Sequence, residues 1–186
     1  DAVLPVSTVL ATLRDTYVTG LTAFRFEGPA ASDGATAGTS TWLRVFAEAT
    51  RIAAEQAREL IADVADLRSA WETQLAEHRG ASGLRNAPRA DSATARLLGR
   101  LPEAPIVTAR STQRLLGVSF PTARAALEEL ANAGILQRKS VERNTTGYLA
   151  GDVFDVLTHT ERRLASTQFD TRVSAPNRPV PAPPGP

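Results

Sequence analysis

The sequence predicts a mainly α-helical protein: a helical bundle or hairpin, then a helix-turn-helix module that ends in a small two-stranded wing. Three observations carry this. Apolar residues recur at steps of three and four over much of the first hundred positions, the spacing of a helical face. Leu116-Gly117-Val118-Ser119 joins two such patterns through a turn glycine and a helix-capping serine. Beyond Gly134, two short segments can pair as strands.

Composition bounds the reading before any motif does. The chain has 186 residues, 42% hydrophobic and 22% charged, as in an ordinary globular protein. No apolar run approaches the roughly 18–20 residues of a membrane span, and no signal peptide opens the chain, so a cytoplasmic protein with no membrane partner is expected. Cysteine is absent, which excludes disulfides and thiolate metal sites. The two histidines, His78 and His159, lie far apart with no second ligand at metal-binding spacing, so no metal site is expected. Methionine is absent too, and the chain opens on Asp1-Ala2-Val3-Leu4-Pro5, which reads like the middle of a longer protein. Lys139 is the only lysine among 21 basic residues, a bias resembling that of a GC-rich bacterial genome. A net charge of +1 argues for no polyanionic partner by itself, so any basic patch is local.

Taken in order, Val9, Leu10, Leu13, Tyr17, Leu21 and Phe24 form one helical face over 6–24, with Ser7 or Thr8 as cap. Residues 28–40, rich in Gly, Ala, Ser and Pro, read as a loop without the Gly-Lys-Ser/Thr ending of a phosphate-binding loop. From Thr41 to His78 an apolar stripe runs from Trp42 through Phe46, Ala49, Ala53, Leu60, Val64 and Leu67 to Trp71 and Leu75. It is one long helix or two, packed in a bundle or against a second copy of the chain through 41–78. Residues 79–90 read as a connector. A helix capped by Asp91 or Ser92 follows, with Ala95, Leu97, Leu98 and Leu101 on its apolar side, and Pro102 and Pro105 end it.

The recognition module spans Pro105 to Ala150. Thr108 caps a helix over 109–116, with Leu115 and Leu116 toward its core. Gly117 makes the turn, Val118 fills the corner, and Ser119 caps a second helix that has Pro121 in its first turn and runs to about Asn132. Ala123, Ala126, Leu127 and Leu130 give that helix a buried face on which small alanines allow a close crossing. Leu136-Gln-Arg-Lys-Ser140 and Gly147-Tyr-Leu149 form the wing, with Val141 to Thr146 as its tip. A last helix, 152 to about 166, packs back through Val153, Val156, Leu157 and Leu164. The order is that of a winged helix-turn-helix. Three parts follow: a helical region 1–90, the winged helix 91–168 and a Pro-rich disordered tail 169–186, which has six prolines in its final 14 residues.

Charge favours a binding face. Pro105 to Ala150 holds Arg110, Arg114, Arg124, Arg138, Lys139 and Arg143 against Glu128, Glu129 and Glu142, an excess of three positive charges. In such modules the start of the second helix meets base edges. Phe120, Thr122, Arg124 and Ala125 are exposed there: Arg124 suits a guanine, and Thr122 a thymine methyl group or a phosphate. The expected DNA-binding residues are Ser119, Thr122, Arg124, Arg138, Lys139 and Arg143, the last three on the wing. Protein docking or a purely structural role is the alternative, because Glu128 and Glu129 would repel DNA if they faced it.

Several stretches in this order resemble the C-terminal part of bacterial Fic-family proteins: Leu4-Pro5-Val6-Ser7 with Tyr17 and Leu21, Trp42-Leu43-Arg44-Val45-Phe46, and Ser92-Ala93-Thr94-Ala95-Arg96-Leu97-Leu98 leading into the module. The resemblance covers Leu4 to Thr158. It implies an all-helical region, the last helices of a Fic domain carrying an appended winged helix. Many Fic proteins transfer AMP from ATP to protein hydroxyl groups through a loop reading His-Pro-Phe-x-Asp/Glu-Gly-Asn-Gly-Arg. No such motif occurs here: His78 lies in Glu-His-Arg-Gly and His159 in Thr-His-Thr-Glu. The resemblance places the motif before Asp1, so no catalytic residue is expected in this chain. ATP and magnesium would belong to that missing loop, and AMP transfer onto a protein target to the parent protein, which this region would regulate, dock or dimerise.

Overall fold

The computed structural model describes residues 5–142 and 145–168, with the side chains of all but 142 and 164–168. The protein is mainly helical and carries one small antiparallel sheet of three strands. In chain order the elements are α1 (Val6–Thr12), α2 (Arg14–Phe24), α3 (Asp33–Ala81), α4 (Ala93–Arg100), β1 (Ile106–Thr108), α5 (Ala109–Leu116), α6 (Phe120–Asn132), β2 (Gln137–Glu142), β3 (Thr145–Leu149) and α7 (Gly151–Gln168). Among the described residues no helix is long and apolar enough to cross a membrane. The Pro-rich tail and Arg143 lie outside the described residues.

The chain divides into two compact units. Among the described residues, 5–59 with 159–168 form one, and Leu60–Thr158 form the other. The first unit has a slender core: Val9, Ala49 and Ala53 are fully buried, flanked by Val6, Leu10, Leu13 and Ile52. Three aromatic residues gather on Trp42, whose ring lies 5.7 Å from Tyr17, 6.4 Å from Phe24 and 6.2 Å from Phe46. The helix expected over 6–24 is two helices that meet at Leu13, where ψ opens to 40°.

The expected loop over 28–40 is corrected from Asp33 onward, because α3 begins there. Ser32 caps it by accepting the Ala35 amide at 3.2 Å. The glycines that suggested a loop serve close approach instead. A Cβ on Gly38 would stand 2.2 Å from the Ala23 carbonyl oxygen, and one on Gly34 would strike the Phe26 ring. Composition pointed to a turn, but alanine is the best helix former and the packing explains the glycines.

The second unit holds the larger core. Trp71 and Leu75 of α3 meet Leu97, Leu98 and Leu101 from α4 and its end, Leu127 and Leu130 of α6, and Val107, Tyr148 and Val153. The Trp71 indole N–H donates to Asp152 at 2.8 Å, which ties α3 to the start of α7. Thr108 and Ser111 form a reciprocal capping box at the start of α5. Gly117 ends α5 at φ 65°, left-handed space where a side chain would be strained. Ser119 caps α6 and Pro121 stands in its first turn. Ala123, Ala126, Leu127 and Leu130 are buried, as their spacing requires.

Three expectations need correcting here. Leu115 is exposed at 36% while Leu116 alone turns inward. On α7, Val153 is buried and Val156 half-buried, but Leu157 is 42% exposed and the Leu164 side chain lies outside the described residues. The sheet has a third strand, β1, which pairs antiparallel with β3 so that Ile106 faces Leu149, Val107 faces Tyr148 and Thr108 faces Gly147. Three residues are too few to show an alternating pattern, so the sequence reads as a lead-in to α5. β2 pairs with the other edge of β3, with a register shift between Ser140 and Glu142.

Candidate nucleic-acid interface

The start of α6 projects between two hollows, each of about 640 Å³. One is lined by Arg110, Gln113, Arg114 and Phe120. The other is lined by Thr108, Ala109, Arg110, Phe120, Arg124, Glu128, Thr145, Thr146 and Tyr148. Phe120 borders both and leaves 42% of its surface in solvent. The cap and Pro121 start α6 at Phe120, and burial of Ala123, Ala126 and Leu127 turns Phe120 and Arg124 outward together. Arg110, Arg114 and Arg124 are exposed, and none of them joins an ion pair found among the described residues. Lys139 on β2 is likewise exposed and outside those pairs.

The two glutamates on α6 are both engaged. Glu129 pairs with Arg79 of α3 and accepts the Thr94 hydroxyl of α4, on the inward side of the helix. Glu128 accepts the Tyr148 hydroxyl at 2.6 Å and the Arg138 guanidinium at 2.6 Å and 3.0 Å. Arg138 also donates to the Asn132 side chain. The Tyr148 and Arg138 bonds hold the Glu128 carboxyl below the usual carboxylate range. Burial and the same carboxylate push the Tyr148 phenol up to about 12. The clamp thus joins α6 to β2 and β3 through one charged group.

The sequence-derived residues fare differently. Arg124 is exposed beside the second hollow. Ser119 and Thr122 are exposed but bonded to each other: the hydroxyl oxygens lie 2.8 Å apart, and Ser119 accepts the Thr122 amide at 3.3 Å. Arg138 is committed to Glu128, so its first role is to hold the hairpin. Lys139 is exposed two strands from β1, and Arg143 lies outside the described residues. The expected DNA-binding residues omitted Arg110, Arg114 and Phe120, although Phe120 was read as exposed at the start of this helix. The local charge excess included both arginines, but α5 gave no reason to put them beside α6.

Replacing Glu128 with glutamine tests the clamp. The folded carboxyl ionises below its ordinary value of 4.5, so its pairing stabilises the fold above that pH and fades as pH falls through the lowered value. Urea titrations at pH 7 and pH 3 should show wild-type losing stability on acidification and the Gln variant losing measurably less. At pH 7 the variant should be the less stable by about 1 kcal/mol, below the roughly 1.5–3 kcal/mol of a hydrogen bond to a charged group because the Glu128 side chain is 36% exposed and solvent screens it.

Compared with known proteins, the chain matches no family model and no curated protein.

Proposed function

We propose that the chain from residue 91 to 168 is a winged helix-turn-helix that binds double-stranded DNA, with α6 as the helix that enters the major groove. The carrying observation is the set of exposed guanidiniums of Arg110, Arg114 and Arg124 around the start of α6, outside the ion pairs found among the described residues, beside a helix whose own glutamates are held by other partners. The order α4, β1, α5, α6, β2, β3 and the sheet order β1-β3-β2 support the winged-helix reading. Arg110 and Arg114 reach phosphates, Arg124 reaches a base edge, and Lys139 adds a contact from the hairpin. Ser119 and Thr122 shape the helix start, and Thr122 keeps a backbone-facing role. Arg143, outside the described residues, belongs to the basic set in the same reading.

Fluorescence-anisotropy titration of the full chain on labelled duplexes tests this at several salt concentrations. The expected log–log plot of affinity against salt is linear and falls steeply, because each phosphate contact releases a counterion and contributes a slope of about 0.9. No binding, or binding indifferent to salt, sinks the proposal.

The resemblance to the Fic C-terminal region carries a second, contextual proposal: this region acts as an accessory to an AMP-transferring domain encoded ahead of it. The residues quoted for the resemblance are its only support. Sequencing the coding region upstream of Asp1 checks it, and an upstream region without the His-Pro-Phe loop defeats it. A homodimer through 41–78 belongs to the same context, and sedimentation of the full chain as a monomer at high concentration removes it.

A further inference from the structure

Phe120 is a large apolar side chain left 42% exposed on the face of α6 that also carries Arg124. It stands at the first position of α6, where a polar residue would serve the helix equally well. The ring–ring contacts among the described residues all centre on Trp42, and Phe120 takes part in none of them. It lines one hollow with Arg110, Gln113 and Arg114, and a second that Arg110 and Arg124 also line. An apolar spot inside a basic rim matches a methyl group flanked by phosphates.

We infer that Phe120 and Arg124 read neighbouring base pairs, Phe120 against the 5-methyl group of a thymine and Arg124 against the O6 and N7 of a guanine. The inference rests on the DNA-binding reading above and names what that face selects. Only the major groove offers the thymine methyl group, and it also offers the two guanine acceptors that a guanidinium pairs with. Thr122 and Ala125 are exposed on the same helix start, but neither offers an apolar surface as large as the Phe120 ring, and the Thr122 side chain is held to Ser119 by its hydroxyl. Phe120 and Arg124 are four residues apart on one exposed face of α6. That spacing is about 6 Å along the helix axis, no more than about two base-pair steps of about 3.4 Å. The preferred site therefore holds a T·A pair and a G·C pair within two steps of each other.

The experiment uses the full chain and duplexes enriched by it from a random-sequence pool. Each thymine of the enriched site is replaced singly by deoxyuridine, which removes only the methyl group. Each guanine is replaced singly by 7-deazaguanine, which removes only N7. Wild-type should lose roughly threefold to fivefold at one thymine, the worth of one buried methyl-sized group. It should lose about tenfold at one guanine within two steps of it, as one half of a bidentate contact goes. In Phe120→Ala the thymine-to-uracil difference should vanish, and in Phe120→Leu it should persist. In Arg124→Ala the 7-deazaguanine difference should vanish. The inference is overturned if no consensus emerges, if uracil is accepted at every thymine by wild-type, or if Phe120→Ala keeps the wild-type ratio. The uracil series on wild-type protein reads the contact without any variant having to fold. No binding to any duplex at low salt would overturn the DNA reading itself, a result distinct from bound but methyl-indifferent DNA.

Discussion

Trp71→Ala is expected to destabilise the Leu60–Thr158 unit by about 3–5 kcal/mol, the usual cost of emptying a buried tryptophan site. Trp71 is 1% exposed and belongs to the core that also holds Leu75, Leu97, Leu127 and Leu130. Its loss opens a void among residues from α3, α4 and α6, three helices with little room to collapse because each is pinned elsewhere. Arg79 and Thr94 both hold Glu129, for example. The indole N–H also leaves Asp152 without its 2.8 Å donor. A domain typically has about 5–15 kcal/mol to lose, so the variant should be partly unfolded at 37 °C. Trp71→Phe separates the two contributions. It keeps most of the apolar volume, and because Asp152 is exposed to water its lost bond should cost only about 1 kcal/mol. Urea unfolding followed by circular dichroism measures both. A Trp71→Ala loss below about 1 kcal/mol would mean that α3 does not belong to this core.

Replacing Arg110, Arg114 and Arg124 together with alanine is expected to lower duplex affinity about a hundredfold or more at low salt. The salt slope should shrink by roughly two, because Arg110 and Arg114 are the phosphate-bound cations removed and each contributes about 0.9. Stability should stay within about 0.5 kcal/mol of wild-type, since all three side chains are exposed and outside the ion pairs described. That combination separates a binding role from a structural one. Arg138→Ala should behave in the opposite sense. It breaks the Glu128 clamp, so stability falls first and affinity follows. A triple variant that binds like wild-type would move the DNA face away from α6.

What could be read from the sequence depended on which residues act locally. Thr108, Gly117, Ser119 and Pro121 do their work within a few positions of themselves, and each stands where the sequence puts it. The burial of Ala123, Ala126, Leu127 and Leu130 follows from the period of one helix. The long helix begins eight residues before Thr41, its expected start, and Gly34 and Gly38 within it are explained by Phe26 and Ala23, neighbours that composition does not reveal. β1 was invisible because its evidence is the register with β3 rather than its three residues. Within the site, Arg124 was legible from its place on α6. Arg138 was legible only as a charge, since its partner Glu128 lies ten positions away on another element. Glu128 and Glu129 counted against a DNA face in the sequence. In the structure Arg138, Tyr148, Arg79 and Thr94 take up both.

The Glu128 clamp bears on the thermodynamics of encounter. One carboxylate grips Arg138 of β2 and Tyr148 of β3 while belonging to α6, so helix and paired strands are already fastened in a common frame before any ligand arrives. A duplex docking on that frame would freeze few protein torsions, and little binding enthalpy would be spent on ordering. Calorimetry should then show a heat-capacity change that scales with the surface covered alone, without the larger decrement that accompanies folding on contact.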